Sequence, residues 1–333
     1  MLNKRPIFIN GFSRSGSTIL NNFLASHPEV STVAEIHHLF KGQTYSESAF
    51  RLLFKCVLHD GPILLSQRQD FFSPRLHELR KPVSPGVQRF IDRIIFKEKQ
   101  RMRSPLANQY KYPGVEYTNE ELAASRVVGK NLDGLIYATD VFAEMYPDAT
   151  FVGLVRNGLA VCEGQLRRGH AAEDIGRRYR CVVEKMLSDA ERIPRYQLFR
   201  FEDLIHATDE CVGSLYRHCD LDMRKLQAVR MQVRRAMDSH GNHRLTGDKE
   251  WDVVWYDLDR LDTYFHQDVN QNQIRRLADV DRKAFLREAG PAMEQLGYPI
   301  EPSESAPPVV YSFLDRMQQG GQLAHSGTYR KAA

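Results

Sequence analysis

Residues 6–27 read PIFINGFSRSGSTILNNFLASH. An apolar run passes through a glycine- and serine-rich turn into a stretch with Ile19, Leu20, Phe23 and Leu24 at helix spacing, and Pro28 follows soon after. Strand, tight turn and helix are therefore expected in that order, with the proline stopping the helix. The same alternation resumes at Arg126. VVGKN reads as strand, LIYATDVFAEMYP as helix, ATFVGLVR as strand, GLAVCEGQLRRG as helix and RYQLFRFEDL as strand. Helices are expected to continue to about residue 238, followed by a loop over DSHGNHRLTGDKEW and a closing helix over DRKAFLREAGPAMEQLG. Strands alternating with helices predict an α/β fold, a mostly parallel sheet with helices on both faces.

Residues 40–125 break the pattern. They carry Pro62, Pro74, Pro82, Pro85, Pro105 and Pro113, with one amphipathic patch over 90–99. This stretch is expected to be an irregular, largely helical insertion within a single domain spanning 1–314, ahead of a polar tail over 315–333. The 46 lysines and arginines against 42 aspartates and glutamates leave a net charge of +4, too little for a nucleic-acid partner but enough for a small anion held by local arginines. Five cysteines without a CxxC spacing argue against a disulfide framework and a cysteine zinc site. They fit a reducing, cytoplasmic setting. Only three consecutive apolar residues precede Asn10, so neither a signal peptide nor an integral membrane span is expected there.

Gly11 and Gly16 have the G-x-x-x-x-G spacing of a P-loop. Glycines let the backbone curl so that successive N–H groups point inward, and the following helix adds the positive end of its dipole. A nucleotide-triphosphate loop would continue with lysine; here Ser17 and Thr18 follow, and the loop's cation is Arg14. The best buried strand, 151–155, ends in Arg156, where magnesium enzymes commonly place an aspartate. A sulfuryl group carries less charge than a phosphoryl group, so arginine, lysine, hydroxyls and amides suffice to stabilise its transfer. These residues fit metal-free transfer from a sulfonucleotide. A serine-rich strand–helix connection is the plain alternative for the loop taken alone.

GFSRSGSTILNNFLASHPEV resembles the 5′-phosphosulfate loop and first helix of sulfotransferases that use 3′-phosphoadenosine 5′-phosphosulfate (PAPS), and FVGLVRNGLAVCEG resembles their 3′-phosphate motif. The likeness covers residues 5–38 and 126–170, and is greatest to bacterial sulfotransferases and the protein-tyrosine sulfotransferase branch. It implies that Ser13, Arg14, Ser15, Gly16, Ser17 and Thr18 hold the 5′-phosphosulfate. It also implies that Glu35, 21 residues after Arg14, is the catalytic base, and that Lys130, 26 residues before Arg156, stabilises the transferring sulfate together with Arg14. Arg156 then binds the 3′-phosphate. The family's serine eight residues further on is replaced by Gly164, for which Arg168 on the same helix face can substitute. By analogy of fold, Arg244 in a late basic loop is a candidate to complete the nucleotide pocket. PAPS as co-substrate, adenosine 3′,5′-bisphosphate as product, no metal, and an acceptor bearing a hydroxyl follow from the same likeness, with 40–125 as the acceptor region.

Each of these residues also has a plainer reading. Glu35 reads equally as a solvated carboxylate, Lys130 as a surface lysine and Arg156 as half of a structural ion pair. Arg177, Arg178 and Arg180 read as a solvated helix face or the rim of an acceptor site. Trp251, Trp255 and Tyr256 read as packing. His37 and His38 diverge on regular structure, and His240 and His243 lack an obvious third ligand, so zinc is not expected. Two rival functions remain: a magnesium-dependent P-loop kinase, and a non-catalytic nucleotide-binding protein on the same fold.

Overall fold

A computed structural model describes residues 3–36, 84–103, 118–234, 251–265 and 267–300. Five parallel strands form the central sheet: β1 (Ile7–Gly11), β2 (Val30–Glu35), β3 (Arg126–Leu132), β4 (Thr150–Val155) and β5 (Tyr196–Arg200), in the order β2-β3-β1-β4-β5. The three inner strands are buried along their whole length, because helices cover both faces; this is why they read as continuous apolar runs.

Alternate residues of each strand feed two separate cores. Phe8 and Phe151 point to one face, where Phe8 stacks on Phe142 at 4.7 Å and on Phe151 at 5.4 Å. Helices α6 (Ala172–Arg192) and α10 (Asp279–Gln295) close that face. Ile7, Ile9, Val152 and Leu154 point to the other, under α1 (Ser17–Ser26) and α8 (Thr208–His218). Of the expected insertion, α2 (Pro85–Arg101) and α3 (Asn119–Ala124) are described and helical, and Ile91, Ile94 and Ile95 of α2 join the first core.

Three local expectations are corrected. The run read as a single strand over RYQLFRFEDL ends at Arg200, and Phe201–His206 forms a short helix, α7. The segment read as helix before residue 138 opens with a 3₁₀ turn over Asp133–Ala138, and only Thr139–Met145 is α-helical (α4). The helices expected to reach residue 238 stop early: Val229–Arg234 is a strand, β6, paired antiparallel with Trp251–Tyr256, β7. VRMQVR alternates apolar and polar residues, and that period of two is a strand's signature. Tyr256 is buried and meets the Tyr264 ring edge-on at 5.4 Å, in the second core. No helix among the described residues is long and apolar enough to cross a membrane.

Candidate active site

The loop between β1 and α1 lies at the carboxyl ends of the strands, where open parallel sheets bind ligands. Gly16 takes φ of +96°, and a β-carbon there would lie 2.5 Å from the Phe201 ring. Only glycine suits both constraints. Arg14 is also left-handed, at φ +76°, a strained state that survives only where its surroundings hold it.

Those surroundings are visible. Ser13 donates both its N–H, at 2.8 Å, and its hydroxyl to the Asp133 carboxylate. Gln165 of α5 (Gly158–Leu166) donates to the Ser13 carbonyl at 3.1 Å, Arg156 donates to the Arg14 carbonyl at 2.9 Å, and the Ser15 N–H closes on Phe12 O at 3.1 Å. The loop's carbonyls are thus turned away and pinned. The N–H groups of Arg14, Gly16, Ser17 and Thr18 take no acceptor among the described residues. Unpartnered amides leading into a helix start are the groups from which an anion cradle is built.

Side chains of the expected loop residues divide. Those of Ser13 and Ser15 turn inward; Ser15 Oγ is buried without a partner, 3.1 Å from the position of a β-carbon on Gly11. Ser17 is buried, whereas Arg14 and Thr18 are exposed. The loop therefore offers mainly backbone donors and the Arg14 guanidinium.

Glu35 and Lys130 come together on the neighbouring strands. They are register partners across β2 and β3, and Lys130 Nζ lies 3.3 Å from Glu35 Oε1. The lysine side chain is 9% exposed and the glutamate 27%, so the carboxylate is the more accessible partner. Asp133 follows Lys130 by three residues at φ +53°. Burial pushes its carboxyl upward, and the nearby Glu35 charge adds to this, while the two bonds from Ser13 and the Arg178 charge oppose it.

Arg156 sits below the loop. Its guanidinium donates to Asn270 Oδ1 at 2.8 Å, to Gln273 Oε1 and to the Arg14 carbonyl, and lies 4.3 Å from the centre of the Phe201 ring. Burial lowers its pKa to about 10, with Glu202 opposing, so it remains cationic at neutral pH. Asn270 and Gln273 belong to the short helix α9 (Val269–Ile274). Gly164 faces Arg14: a β-carbon there would meet the Arg14 side chain at 3.4 Å. Partial burial and then repulsion from Arg168 and Arg167 lower the Arg14 pKa, with Glu163 opposing. Glu163 pairs with Arg167 at 2.7 Å and Arg276 at 3.0 Å, while Arg168 is exposed.

The structure therefore gathers Arg14, Gly16, Thr18, Glu35, Lys130, Arg156, Gly164 and Arg168 at one end of the sheet. Sequence reasoning missed Asp133, Gln165, Asn270 and Gln273, each of which acts through a contact distant in sequence; the Asp-Gly pair at 133–134 carried only a turn signal. Arg177 and Arg180 pair on the helix surface with Asp174 and Glu288. Arg244, His37, His38, His240 and His243 lie outside the described residues. Among the described residues no three His, Cys, Asp or Glu side chains are placed to hold a metal ion.

The chain resembles the sulfotransferase domain of the Synechococcus olefin synthase at 14% identity, over 90% of this chain and 97% of that one, with a TM-score of 0.46. The sulfotransferase domain of the curacin biosynthetic pathway is similar at 15% identity, 90% and 99% coverage and a TM-score of 0.46. A sulfotransferase from Alicyclobacillus acidocaldarius is similar at 14% identity, 88% and 94% coverage and a TM-score of 0.41. No curated protein matches. The profile of the Sulfotransferase family, however, matches residues 6–225 of the 333, and on that match this chain belongs to the sulfotransferase family.

Proposed function

We propose that this sulfotransferase takes its sulfuryl group from PAPS and delivers it to an acceptor hydroxyl, giving a sulfate ester and adenosine 3′,5′-bisphosphate. The observation that carries the reading is the juxtaposition of the four unpartnered loop amides with the Glu35–Lys130 pair. The cradle suits the donor's 5′-phosphate: its donors are fixed backbone groups that need no reorganisation as charge moves onto the leaving oxygen. The described residues fit a mononucleotide with two separated anionic ends, one on the loop amides and one over Arg14 and Arg168.

In the reaction, Glu35 accepts the proton of the acceptor hydroxyl as its oxygen bonds to sulfur. The bond from sulfur to the bridging phosphate oxygen breaks in line, and the electron pair stays on the 5′-phosphate. Lys130, held beside Glu35, neutralises the sulfuryl and bridging oxygens, a role that Arg14, turned toward Gly164, does not share, while the amides of Gly16, Ser17 and Thr18 take up the phosphate charge. The 3′-phosphate is assigned to Arg14 and Arg168 around Gly164. Arg156 supports it from beneath by fixing the Arg14 backbone, since three of its five N–H groups are already engaged. The acceptor is a compound bearing a hydroxyl group.

The test is transfer of label from sulfur-35 PAPS into a library of hydroxyl acceptors in excess EDTA. Labelled ester together with adenosine 3′,5′-bisphosphate is expected. A strict requirement for magnesium and ATP would support the kinase reading, and nucleotide binding without turnover on any acceptor would support the non-catalytic one.

A further inference from the structure

The position of Asp133 is unusual for a site that receives an anion. A carboxylate stands directly behind the loop, near a second carboxylate, Glu35, where its charge opposes a bound phosphate. Yet its contacts are specific. It accepts the Ser13 N–H at one oxygen and the Ser13 hydroxyl at the other. Only an ionised carboxylate accepts both; an asparagine in its place accepts one and must donate to the other. The residue is also left-handed, a conformation that aspartate and asparagine tolerate better than most.

We propose that Asp133 is the positioning residue of the anion loop. By holding both Ser13 donors it turns the start of the loop away from the ligand and leaves the next amides aimed inward. With the Ser13 N–H and hydroxyl engaged, three successive peptides from Phe12 to Ser15 are each held: Asp133 takes the Ser13 donors, Gln165 donates to the Ser13 carbonyl and Arg156 to the Arg14 carbonyl. Of these three, Asp133 alone extends from the strand that also carries Lys130, so it ties the cradle to the catalytic pair with three residues of chain. Ser13 thereby serves the loop's shape and gives neither its amide nor its hydroxyl proton to the donor.

This inference rests on the reading of the loop as the donor's 5′ site, and its test separates the two. The electrostatic and positional roles predict opposite signs. If Asp133 were only a negative charge near an anion, Asp133→Asn would tighten binding of adenosine 3′,5′-bisphosphate. Positioning requires the reverse: affinity measured by calorimetry should fall about fivefold or more, with the donor KM raised, the acceptor KM unchanged and Tm within a few degrees of the unaltered chain. Ser13→Ala, which keeps the carboxylate and loses one of the two bonds, should weaken binding less, and the double variant should lose less than the product of the two single losses, because both act through one contact. Unchanged or tighter binding by Asp133→Asn overturns the proposal, as does simple additivity in the cycle. Should Asp133→Asn fail to fold, Ser13→Ala alone decides: unaltered nucleotide affinity overturns the proposal. An unaltered chain that does not bind adenosine 3′,5′-bisphosphate overturns the reading of the site and the proposal with it.

Discussion

Glu35 stands opposite Lys130 because β2 carries one residue more than β3 over the same span. Thr32 pairs with Val128, but the next partner of Lys130 is Glu35, three residues along rather than two. In unbroken register Ala34 would occupy that place. A bulge of this kind re-aims the side chains that follow it, and bulges are frequent beside active sites. Here it brings a carboxylate to 3.3 Å from a nearly buried ammonium group.

The first expected outcome follows from that pair. Glu35→Gln keeps the size of the side chain and a hydrogen bond to Lys130 but removes the basicity. Turnover should drop by roughly 10²–10⁴-fold, while calorimetry with adenosine 3′,5′-bisphosphate gives nearly the same affinity. A loss below about tenfold in a folded protein would leave Glu35 as an accessible carboxylate and no more.

Arg156 gives a different pattern. Lysine cannot reproduce a fork that reaches Asn270, Gln273 and the Arg14 carbonyl together. Arg156→Lys should cost about 2–4 kcal/mol of stability in urea unfolding, from bonds to a charged group at 1.5–3 kcal/mol each, partly recovered. Binding should weaken for adenosine 5′-monophosphate as well as for the 3′-phosphorylated ligand, since the loop itself loosens. A loss confined to the 3′-phosphorylated ligand, with stability unchanged, would return Arg156 to direct contact with that phosphate.

The loop's dependence on Gly16 is equally direct. Gly16→Ala meets a left-handed backbone, worth roughly 1–2 kcal/mol, and a β-carbon 2.5 Å from the Phe201 ring. Tm should fall by several degrees and nucleotide binding should be lost. Retained affinity in the alanine variant would show that the loop binds the ligand in another conformation.

Lys185 and Asp189 of α6 are ion-paired with side chains wholly buried, and Asp140 and Arg192 extend the cluster at 2.6–3.2 Å. Removing one partner leaves a buried charge uncompensated. Lys185→Ala should therefore destabilise the chain by about 3–5 kcal/mol, read by chemical denaturation, with the nucleotide affinity of the folded fraction unaltered. A loss under about 1 kcal/mol would mean that the cluster opens to water.

These residues also show what a sequence makes legible. The loop was readable because its signal is local: two glycines at a fixed spacing between an apolar strand and a periodic helix. The apolar runs place Lys130 and Arg156 at strand ends; Arg156 lies one residue beyond β4, whereas Lys130 lies within β3, which continues for two more residues to Leu132. What pins the loop was not readable. Ser13 meets Asp133 across 120 residues and Gln165 across 152, and no local pattern encodes such partners. The bulge before Glu35 is likewise a property of two strands counted against each other. Strand β6 was missed for a simpler reason: six alternating residues after a run of helices carry a weak signal, and pairing with β7 decides it.

The measurement that bears most directly on the function is titration calorimetry of the whole chain with adenosine 3′,5′-bisphosphate and, separately, with ADP. The two ligands share the adenosine and the 5′ phosphate and differ in where the remaining phosphate sits. A cradle of four amides beside Arg14 and Arg168 should bind adenosine 3′,5′-bisphosphate at least tenfold more tightly, and do so equally well in EDTA. Equal affinity, or a preference for ADP that appears with magnesium, would contradict the assignment of PAPS as the donor.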